Sequence, residues 1–367
     1  MIDAPQPSSP DYRSAGVRGQ EEALSSVLRH LGPTLSFPHG ADVLTNFGHY
    51  AAIIRVREDL AIAVCTDGVG SKTVVASALD RYDTMGFDCM AMNVNDLICV
   101  GARPLALVDY LGVHTLDAHR TDQILEGLAR AAKESGVAIP GGELAQLPDV
   151  IGSDGTGPGD ERSFDLVGTA IGTLHPRDFI SGDAVVAGDA LIGLRSSGLH
   201  SNGFTLARRV LRDAEIGLEH EVSELGCSLG EELLRPTEIY VRPILGLWNE
   251  GISTKGLAHI TGDGLLNLCR LNDRVGFEID DLFEPQPIFG LIAGLGAVDK
   301  AEMFKVFNMG TGFVIVVSQD AIDSCSESLA AHGIEARVIG RVTGEAGMVR
   351  LSQWGLAGNL ERGFSSV

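Results

Sequence analysis

The sequence has few aromatic side chains, more acids than bases and no apolar run of membrane-spanning length. Phe, Trp and Tyr together make up 5% of its 367 residues. Lys and Arg number 28 against 49 Asp and Glu, so the formal net charge is -21. That charge disfavours nonspecific binding to nucleic acid or to an anionic membrane surface. We therefore expect small-molecule partners, no nucleic acid and no membrane contact.

The cysteines lack the C-x-x-C spacing of a zinc site or a redox pair. They are scattered through mostly apolar stretches, which is typical of reduced core residues in a cytoplasmic protein. The six positions are Cys65, Cys89, Cys99, Cys227, Cys269 and Cys325. The N-terminus lacks the basic and apolar regions of a secretory signal, and its prolines and serines predict a flexible tail over residues 1–10.

Strand-like and helix-like periods alternate along both halves of the chain, which predicts an α/β (α+β) protein of two domains. Each domain is expected to be a mixed sheet with packed helices. The pattern restarts after residue 175, so we predict domains at 11–175 and 176–350, followed by a C-terminal tail at 351–367. The stretch Asp149 to Ser163 is rich in Gly and Asp and predicts a loop, either a lid or a solvated connector.

The first motif that carries chemistry is T-D-G-V-G-S-K at residues 66–72, directly after the apolar run that ends at Cys65. A strand followed by a Gly-rich bend and a helix presents backbone N–H groups to an anion. Gly68, Gly70 and Ser71 are therefore candidate phosphate contacts, Asp67 a candidate metal ligand and Lys72 a candidate phosphate contact. A P-loop is excluded because Ser71, and not Gly, precedes Lys72. A simple turn at a strand end is the alternative.

The second motif lies in an apolar helical stretch predicted from about Thr84 to Val100. Its polar members, Asp88, Asn95 and Asp96, cluster on one side of the helix. Asp96 and Asp67 are predicted to bind a divalent cation such as Mg²⁺ through oxygen ligands. Capping or buried hydrogen bonds explain the same residues equally well.

The third motif is Gly141-Gly142-Glu143, which follows another apolar approach. Two glycines permit a close backbone contact, and Glu143 is a further candidate acid. A simple turn is the alternative.

A fourth motif, residues 196–203, lies between a predicted strand and helix and contains Ser197, His200 and Asn202. Its hydroxyls and amide are suited to a phosphate or ribose at the helix N-terminus, although capping explains Ser201 or Asn202 as well. His200 and His259 lack His-x-x-x-His spacing and are interpreted as hydrogen-bonding residues.

In order and identity these motifs resemble the family of aminoimidazole ribonucleotide synthetases, also called phosphoribosylformylglycinamidine cyclo-ligases. The resemblance spans nearly the whole chain. Further matching segments are residues 11–17, 235–241, 258–264 and 307–312. Three segments depart from the family pattern: Thr45 to Tyr50 replaces a Gly-rich loop, Leu144 and Gln146 replace Thr and Glu, and Asp263 replaces a Gly. A carboxylate at Asp263 would weaken phosphate binding unless a metal or an Arg neutralises it.

The resemblance implies a homodimer that binds ATP and Mg²⁺ and closes the imidazole ring of formylglycinamidine ribonucleotide. It implies catalytic roles for Lys72, Asp67 and His200, and metal ligation by Asp67, Asp96 and Glu143. ATP contacts are implied at Gly68, Gly70, Ser71, Lys72, Asn95, Gly141 and Gly142, and substrate contacts at Ser197, His200, Asn202 and Thr261. The alternatives are thiamine-monophosphate kinase, selenophosphate synthetase or hydrogenase-maturation activity, or an idle homologue that acts as a scaffold.

Overall fold

The structure is a computed structural model that describes residues 10–12, 14–16, 21–37, 40–152 and 160–367. Residues 1–9 of the predicted tail lie outside the described residues, as do residues 153–159 of the predicted 149–163 loop. The described parts of that loop form turns and bends on either side.

The first half of the chain forms helices and strands in alternation. Its helices are α1 (Glu21–Leu31), α2 (Thr73–Leu79), α3 (Met85–Cys99) and α4 (Ala118–Ser135), with 3-10 helices at Gly32–Ser36 and Gly70–Lys72. Its strands are β1 (Asp42–Val43), β2 (Ala52–Arg57), β3 (Leu60–Gly68), β4 (Arg103–Val113), β5 (Ala138–Gln146) and β6 (Phe164–Leu174).

These strands form a six-stranded sheet in the order β1-β2-β3-β6-β4-β5, and β4 with β5 is its one parallel pair. The sheet has one covered face and one open face. Along β6 every second residue, such as Leu166 and Ala170, is buried, whereas the residues between them are partly or fully exposed. This alternation is the period of a strand with one face on a core. Helix α3 packs on the covered face and carries Met90, Val94 and Leu97 at 0% exposure.

The second half forms another mixed layer. Its helices are α5 (Phe204–Asp213), α6 (Leu229–Leu233), α7 (Val241–Asn249), α8 (Pro287–Gly296), α9 (Lys300–Val306) and α10 (Ile322–Ala331), with 3-10 helices at Pro176–Asp178, Gly264–Arg270, Gln319–Ala321 and Ser352–Trp354. Its strands are β7 (Ala190–Arg195), β8 (Glu221–Val222), β9 (Cys227–Ser228), β10 (Gly256–His259), β11 (Gly276–Ile279), β12 (Thr311–Val317), β13 (Ala336–Thr343), β14 (Val349–Leu351), β15 (Leu356–Asn359) and β16 (Gly363–Ser366).

The main sheet of this half has eight strands in the order β10-β12-β7-β13-β11-β14-β15-β16. Strand β12 is buried along its whole length, as its unbroken apolar run predicts for a strand covered on both faces. The predicted mixed α/β architecture is confirmed. The Gly141-Gly142 pair differs from the simple turn considered for it, since both glycines lie within β5.

The predicted C-terminal tail is wrong for most of residues 351–367. This segment contributes β15 and β16 to the eight-stranded sheet and buries Leu356, Ala357 and Phe364. Phe364 packs edge-on against Phe304 of α9, with ring centroids 6.5 Å apart. Glycines interrupt these short apolar pieces, which hides the strand period in the sequence.

All six cysteines are free thiols. Among the described residues, no helix combines the length and the apolar character that crossing a bilayer requires.

Candidate active site

Asp67 lies at the end of β3, where the side chain of Asn93 from α3 holds its backbone. The Asp67 N–H donates to Asn93 Oδ1 at 3.0 Å, and Asn93 Nδ2 donates to the Asp67 carbonyl at 3.0 Å. The Asp67 carboxylate accepts the N–H of Gly68 at 2.7 Å. Asn93 was not singled out in the sequence. The available signal was an amide side chain within an apolar helical stretch, three positions before Asp96. It fixes the direction in which β3 presents its terminal acid.

The negative charge of Asp96 acts on the buried carboxylate of Asp67. Burial and the negative charge of Asp96 raise the pKa of Asp67 to about 6, although the N–H of Gly68 opposes the shift. Two acids that share a confined space resist ionising together, and a cation between them removes that penalty. The charge of Asp96 thus reaches Asp67, and joint binding of a cation by the two acids stays a prediction.

The pair suits a hard divalent cation that also binds phosphate oxygens. Mg²⁺ is usually held by one or two carboxylates and completes its shell with waters and substrate phosphates. Among the described residues, no group of three or more His, Cys, Asp and Glu side chains is placed to bind a metal. A two-carboxylate site that depends on a nucleotide fits both facts.

Glu143 is not brought to this pair. Strand β5 lies three strand spacings from β3, about 14 Å across the sheet. Register pairs Asp67 with Gly168, Gly168 with Asp109, and Asp109 with Gly142, so Glu143 faces the opposite, open side. The predicted grouping of Glu143 with Asp67 and Asp96 is therefore wrong within one chain. Successive strand residues alternate between faces, which the motif alone does not reveal.

The Gly-rich bend leads into a helical run that starts at Gly70. The first turn of such a run leaves backbone N–H groups without intrahelical partners, which suits an anion. Gly70 has φ of 70°, a left-handed conformation that glycine adopts without strain. Ser71 Oγ lies 3.1 Å from Thr205 Oγ1 at the start of α5, so the bend touches the second half of the chain. Phosphate contacts of Gly68, Gly70 and Ser71 remain predictions, as do those of Gly141 and Gly142 in β5.

Lys72 points inward and away from solvent. Its Nζ lies 2.9 Å and 2.8 Å from the two carboxylate oxygens of Asp88, and both side chains are 0% exposed. It also donates to the carbonyls of His200 at 3.2 Å and Arg235 at 2.6 Å. Burial lowers the pKa of Lys72, and Asp88 opposes that shift. With all three donors occupied, Lys72 is not free to meet a polyphosphate in this arrangement, so the predicted contact would require the ion pair to open.

Asn95 is also used within the protein. Its Nδ2 donates to the carbonyl of Glu238 at 2.9 Å, and its Oδ1 accepts the N–H of Tyr240 at 3.0 Å. The side chain is fully buried. Its predicted contact with ATP has no support in this geometry, and the buried hydrogen bonds considered for this helix are present instead.

The loop with Ser197 and His200 is held by short internal bonds. His200 Nε2 accepts the N–H of Ser197 at 3.2 Å, and Ser197 Oγ donates to the carbonyl of Pro236 at 2.6 Å. Burial lowers the pKa of His200 well below its usual value, so the ring is neutral near pH 7. His200 is 2% exposed, so its side chain is buried. Its backbone is left-handed, with φ of 63°. A direct catalytic or substrate contact of His200 stays a prediction.

Asn202 lies next to Gly262, the residue after Thr261, and against helix α3. Asn202 Oδ1 lies 3.6 Å from the position that a Cβ on Gly262 would occupy. Its Nδ2 is 3.9 Å from the sulfur of Met92, one helical turn before Asp96 on α3. The N–H of Thr261 donates to Asn267 Oδ1 at 2.8 Å. We call the junction between Asp67 and Asp96 of the first half and Asn202 and Thr261 of the second half the interdomain cleft.

A neighbouring Arg neutralises the unusual acid Asp263. Arg270 Nη2 donates to Asp263 Oδ2 at 2.6 Å. Asp263 was expected to weaken phosphate binding unless a metal or an Arg neutralised it. Arg270 meets that condition, although the sequence motifs did not single it out. Its position seven residues later, on the 3-10 helix Gly264–Arg270, was the available signal.

Both halves of the chain match one protein family. The description "AIR synthase related protein, N-terminal domain" matches residues 48–174, and "AIR synthase related protein, C-terminal domain" matches residues 186–351. The chain belongs to the AIR synthase related family.

Several curated relatives at 42 to 48% identity are named phosphoribosylformylglycinamidine cyclo-ligase. The protein of Methanothermobacter thermautotrophicus is 48% identical over 90% of this chain and 93% of its own length. That of Methanobrevibacter smithii is 45% identical over 90% and 94%, and that of Thermococcus kodakarensis is 44% identical over 94% and 98%.

Solved structures show the same fold at lower identity. The crystal structure of tt0281 from Thermus thermophilus matches with a TM-score of 0.60 and 22% identity, over 91% of this chain and 98% of that chain. A thiamine-monophosphate kinase from Stenotrophomonas maltophilia matches with a TM-score of 0.58 and 19% identity, over 89% and 96%. At this identity the likeness concerns the fold alone.

The buried ion pair makes Lys72 a determinant of stability. We expect Lys72→Met to lower the free energy of unfolding by about 3 to 5 kcal/mol, because Asp88 would keep its buried charge without a partner. Denaturant unfolding of the purified variant measures this. The double variant Lys72→Met/Asp88→Asn should recover part of the loss, since it removes the stranded charge. Arg274→Met, which breaks an exposed pair with Asp183, should cost at most about 1 kcal/mol. Equal, small effects of Lys72→Met and Arg274→Met would contradict the interpretation.

The raised pKa of Asp67 makes the stability of the ligand-free protein depend on pH. That pKa is raised from 3.8 to about 6, so between these values the folded state binds more protons than the unfolded state. Stability therefore falls as pH rises through that window, and the penalty is complete above about pH 6. We expect Asp67→Asn to raise the melting temperature at about pH 8 and to change it little at about pH 4. Asp122→Asn, at an exposed position of α4, is the control; a similar pH profile for both variants would contradict the account.

Proposed function

We propose that this protein catalyses the ATP-dependent ring closure of formylglycinamidine ribonucleotide to aminoimidazole ribonucleotide, with release of ADP and phosphate. The observation that carries the proposal is identity of 42 to 48% to curated cyclo-ligases over at least 90% of the chain. Such an activity belongs to purine biosynthesis and, with six free cysteines, favours a cytoplasmic location.

The acidic side of the interdomain cleft supports nucleotide binding. Asp67 and Asp96 would hold Mg²⁺, which neutralises charge on the transferred phosphoryl group when it is bound. The first-turn N–H groups that follow Asp67 would donate to phosphate oxygens. The rigid hold of Asn93 on the Asp67 backbone supports a fixed geometry, and fixed geometry is the main requirement of phosphoryl transfer.

The opposite side of the cleft would bind the sugar phosphate. Asn202 and Thr261 supply an amide and a hydroxyl beside Asp96. Ser197 and His200 support this side by fixing the loop that carries Asn202. In the ring closure, the formyl amide oxygen attacks the γ-phosphoryl group of ATP, and an amidine nitrogen of the same substrate then displaces phosphate from the activated carbon. Since the second step is intramolecular, a cleft that holds the substrate folded accelerates it without a nucleophile from the protein.

Substrate-dependent ADP release tests the function. The purified protein with ATP, Mg²⁺ and formylglycinamidine ribonucleotide should release ADP and form aminoimidazole ribonucleotide in equal amounts. Asp96→Asn should lower the rate on the order of 100-fold, because the developing charge loses its cation. Asp122→Asn should retain the wild-type rate, since this exposed acid on α4 lies outside the cleft.

The same assay separates the alternatives. ATP consumption with thiamine monophosphate or with selenide, and none with the ribonucleotide, would replace the proposed acceptor. No ATP consumption with any acceptor would indicate a scaffold. Full activity of Asp96→Asn would agree with the proposed reaction but would contradict the proposed metal site.

We also propose that two copies of the chain pair through the open face of the six-stranded sheet. Register places several apolar side chains on that face: Ile62, Val64, Val108, Tyr110, Val167 and Ile171. Val108 is 37% exposed and Tyr110 is 36% exposed. Exposed apolar side chains on a sheet face are costly in water, and a second sheet packed on them relieves that cost. Glu143 lies on the same face, in register with Tyr110.

Charge on that face should separate the copies. We expect Val108→Asp and Tyr110→Glu to convert a dimer into a monomer, because burying like charges against each other is strongly unfavourable. Light scattering after size exclusion measures the mass in solution. Leu360→Asp, at a residue that is 44% exposed in the turn after β15, should remain a dimer. A wild-type monomer, or a dimer that survives both sheet substitutions, would contradict pairing through this face.

A further inference from the structure

The side chain of His259 joins the second half of the chain to the acid pair in the first half. His259 is the last residue of β10, and its Nδ1 lies 2.9 Å from Oδ1 of Asp96 on α3. The imidazole is 0% exposed, whereas Asp96 keeps 18% exposure toward the cleft. The carboxylate accepts the hydrogen bond, so we assign the hydrogen to Nδ1.

This bond is the one side-chain hydrogen bond that the His259 ring makes with described residues. Its Nε2 is buried and has no hydrogen-bond partner among them. A buried nitrogen without a partner costs about 1 to 3 kcal/mol, and an apolar side chain at the end of a buried strand avoids that cost. A site that breaks this packing rule usually does so for function. The contact with Asp96 is the feature that such a role would use.

The backbone of His259 is held in place on both sides. Strand β10 pairs His259 with Phe313 of β12, and the hydroxyl of Tyr50 donates to the His259 carbonyl at 3.3 Å. The ring also packs against Phe313, with centroids 6.3 Å apart. The imidazole therefore has little freedom, and it transmits this rigidity to the carboxylate that it contacts.

We propose that His259 is a positioning residue for the divalent cation of the bound nucleotide. It fixes Oδ1 of Asp96 and leaves Oδ2 available to the cation beside Asp67. The inference rests on the proposed function, because it assumes that Asp67 and Asp96 hold that cation. The second domain then has a part in the metal site although both carboxylates come from the first domain. Partners behind a metal ligand typically account for 10- to 100-fold in metal affinity.

Titration with Mn²⁺ in the presence of ADP tests the proposal without turnover. His259→Asn places an amide N–H near the position of Nδ1, whereas His259→Gln places it near Nε2 and away from Asp96. We expect Mn²⁺ affinity to fall about 10- to 100-fold in His259→Gln and to stay within about 3-fold of wild type in His259→Asn. His259→Leu also lacks an N–H donor to Asp96. The test therefore needs only one of the Gln and Leu variants to fold.

Tyr50→Phe is the matched control, since it removes a hydrogen bond to the His259 carbonyl and leaves the ring contact intact. A merely structural tie would make Tyr50→Phe weaken Mn²⁺ binding as much as His259→Gln, which would overturn the proposal. Wild-type affinity in His259→Gln or His259→Leu, or equal losses in the Asn and Gln variants, would overturn it as well. Wild-type Mn²⁺ affinity in Asp67→Asn and Asp96→Asn would instead show that the proposed metal site itself fails.

Discussion

The ion pair between Lys72 and Asp88 constrains how the two halves of the chain meet. Neither side chain reaches water, and Lys72 donates to backbone carbonyls of two separate segments, those of His200 and Arg235. Thr237 completes the arrangement, because its backbone N–H and its hydroxyl both donate to Asp88 Oδ1. A buried charge tolerates little displacement before its desolvation cost returns. The loops that contain His200 and Arg235 are therefore held at a fixed position against α3, and the interdomain cleft lies beside them.

Helix α3 shows how similar polar residues acquire different tasks. Asp88 is buried and paired, Asn95 binds the backbone of the second half, and Asp96 reaches the cleft with part of its carboxylate exposed. The task of each residue follows from its neighbour across the boundary between the halves. Asn93 on the same helix instead turns toward β3 and fixes Asp67. One helix thus connects the sheet of the first half with the loops of the second.

Sequence patterns predicted the elements better than the partners of individual side chains. Helix α3 was predicted from about Thr84 to Val100 and is found at Met85–Cys99, because its apolar residues form a long helical stretch. Proximity of Asp67 and Asp96 was predicted from a strand end and a helix face, both of which are local features. The burial of Lys72 and Asn95 depends on residues 235–240, which are far away in the sequence, and no local period reports such a contact. Glu143 was misplaced for a related reason, since the side of the sheet that it faces is set by register with β4.

The charge around the cleft determines which form of nucleotide it suits. The chain carries a net charge of -21, and in the cleft burial and the charge of Asp96 already raise the pKa of Asp67. Lys72 is committed to Asp88, and Arg270 is committed to Asp263. Free ATP would therefore meet uncompensated negative charge, whereas a nucleotide that brings its own divalent cation removes the repulsion on both sides. In the proposed site the acids would therefore select the metal complex of the nucleotide, and relief of the raised pKa of Asp67 would add to the affinity for that complex.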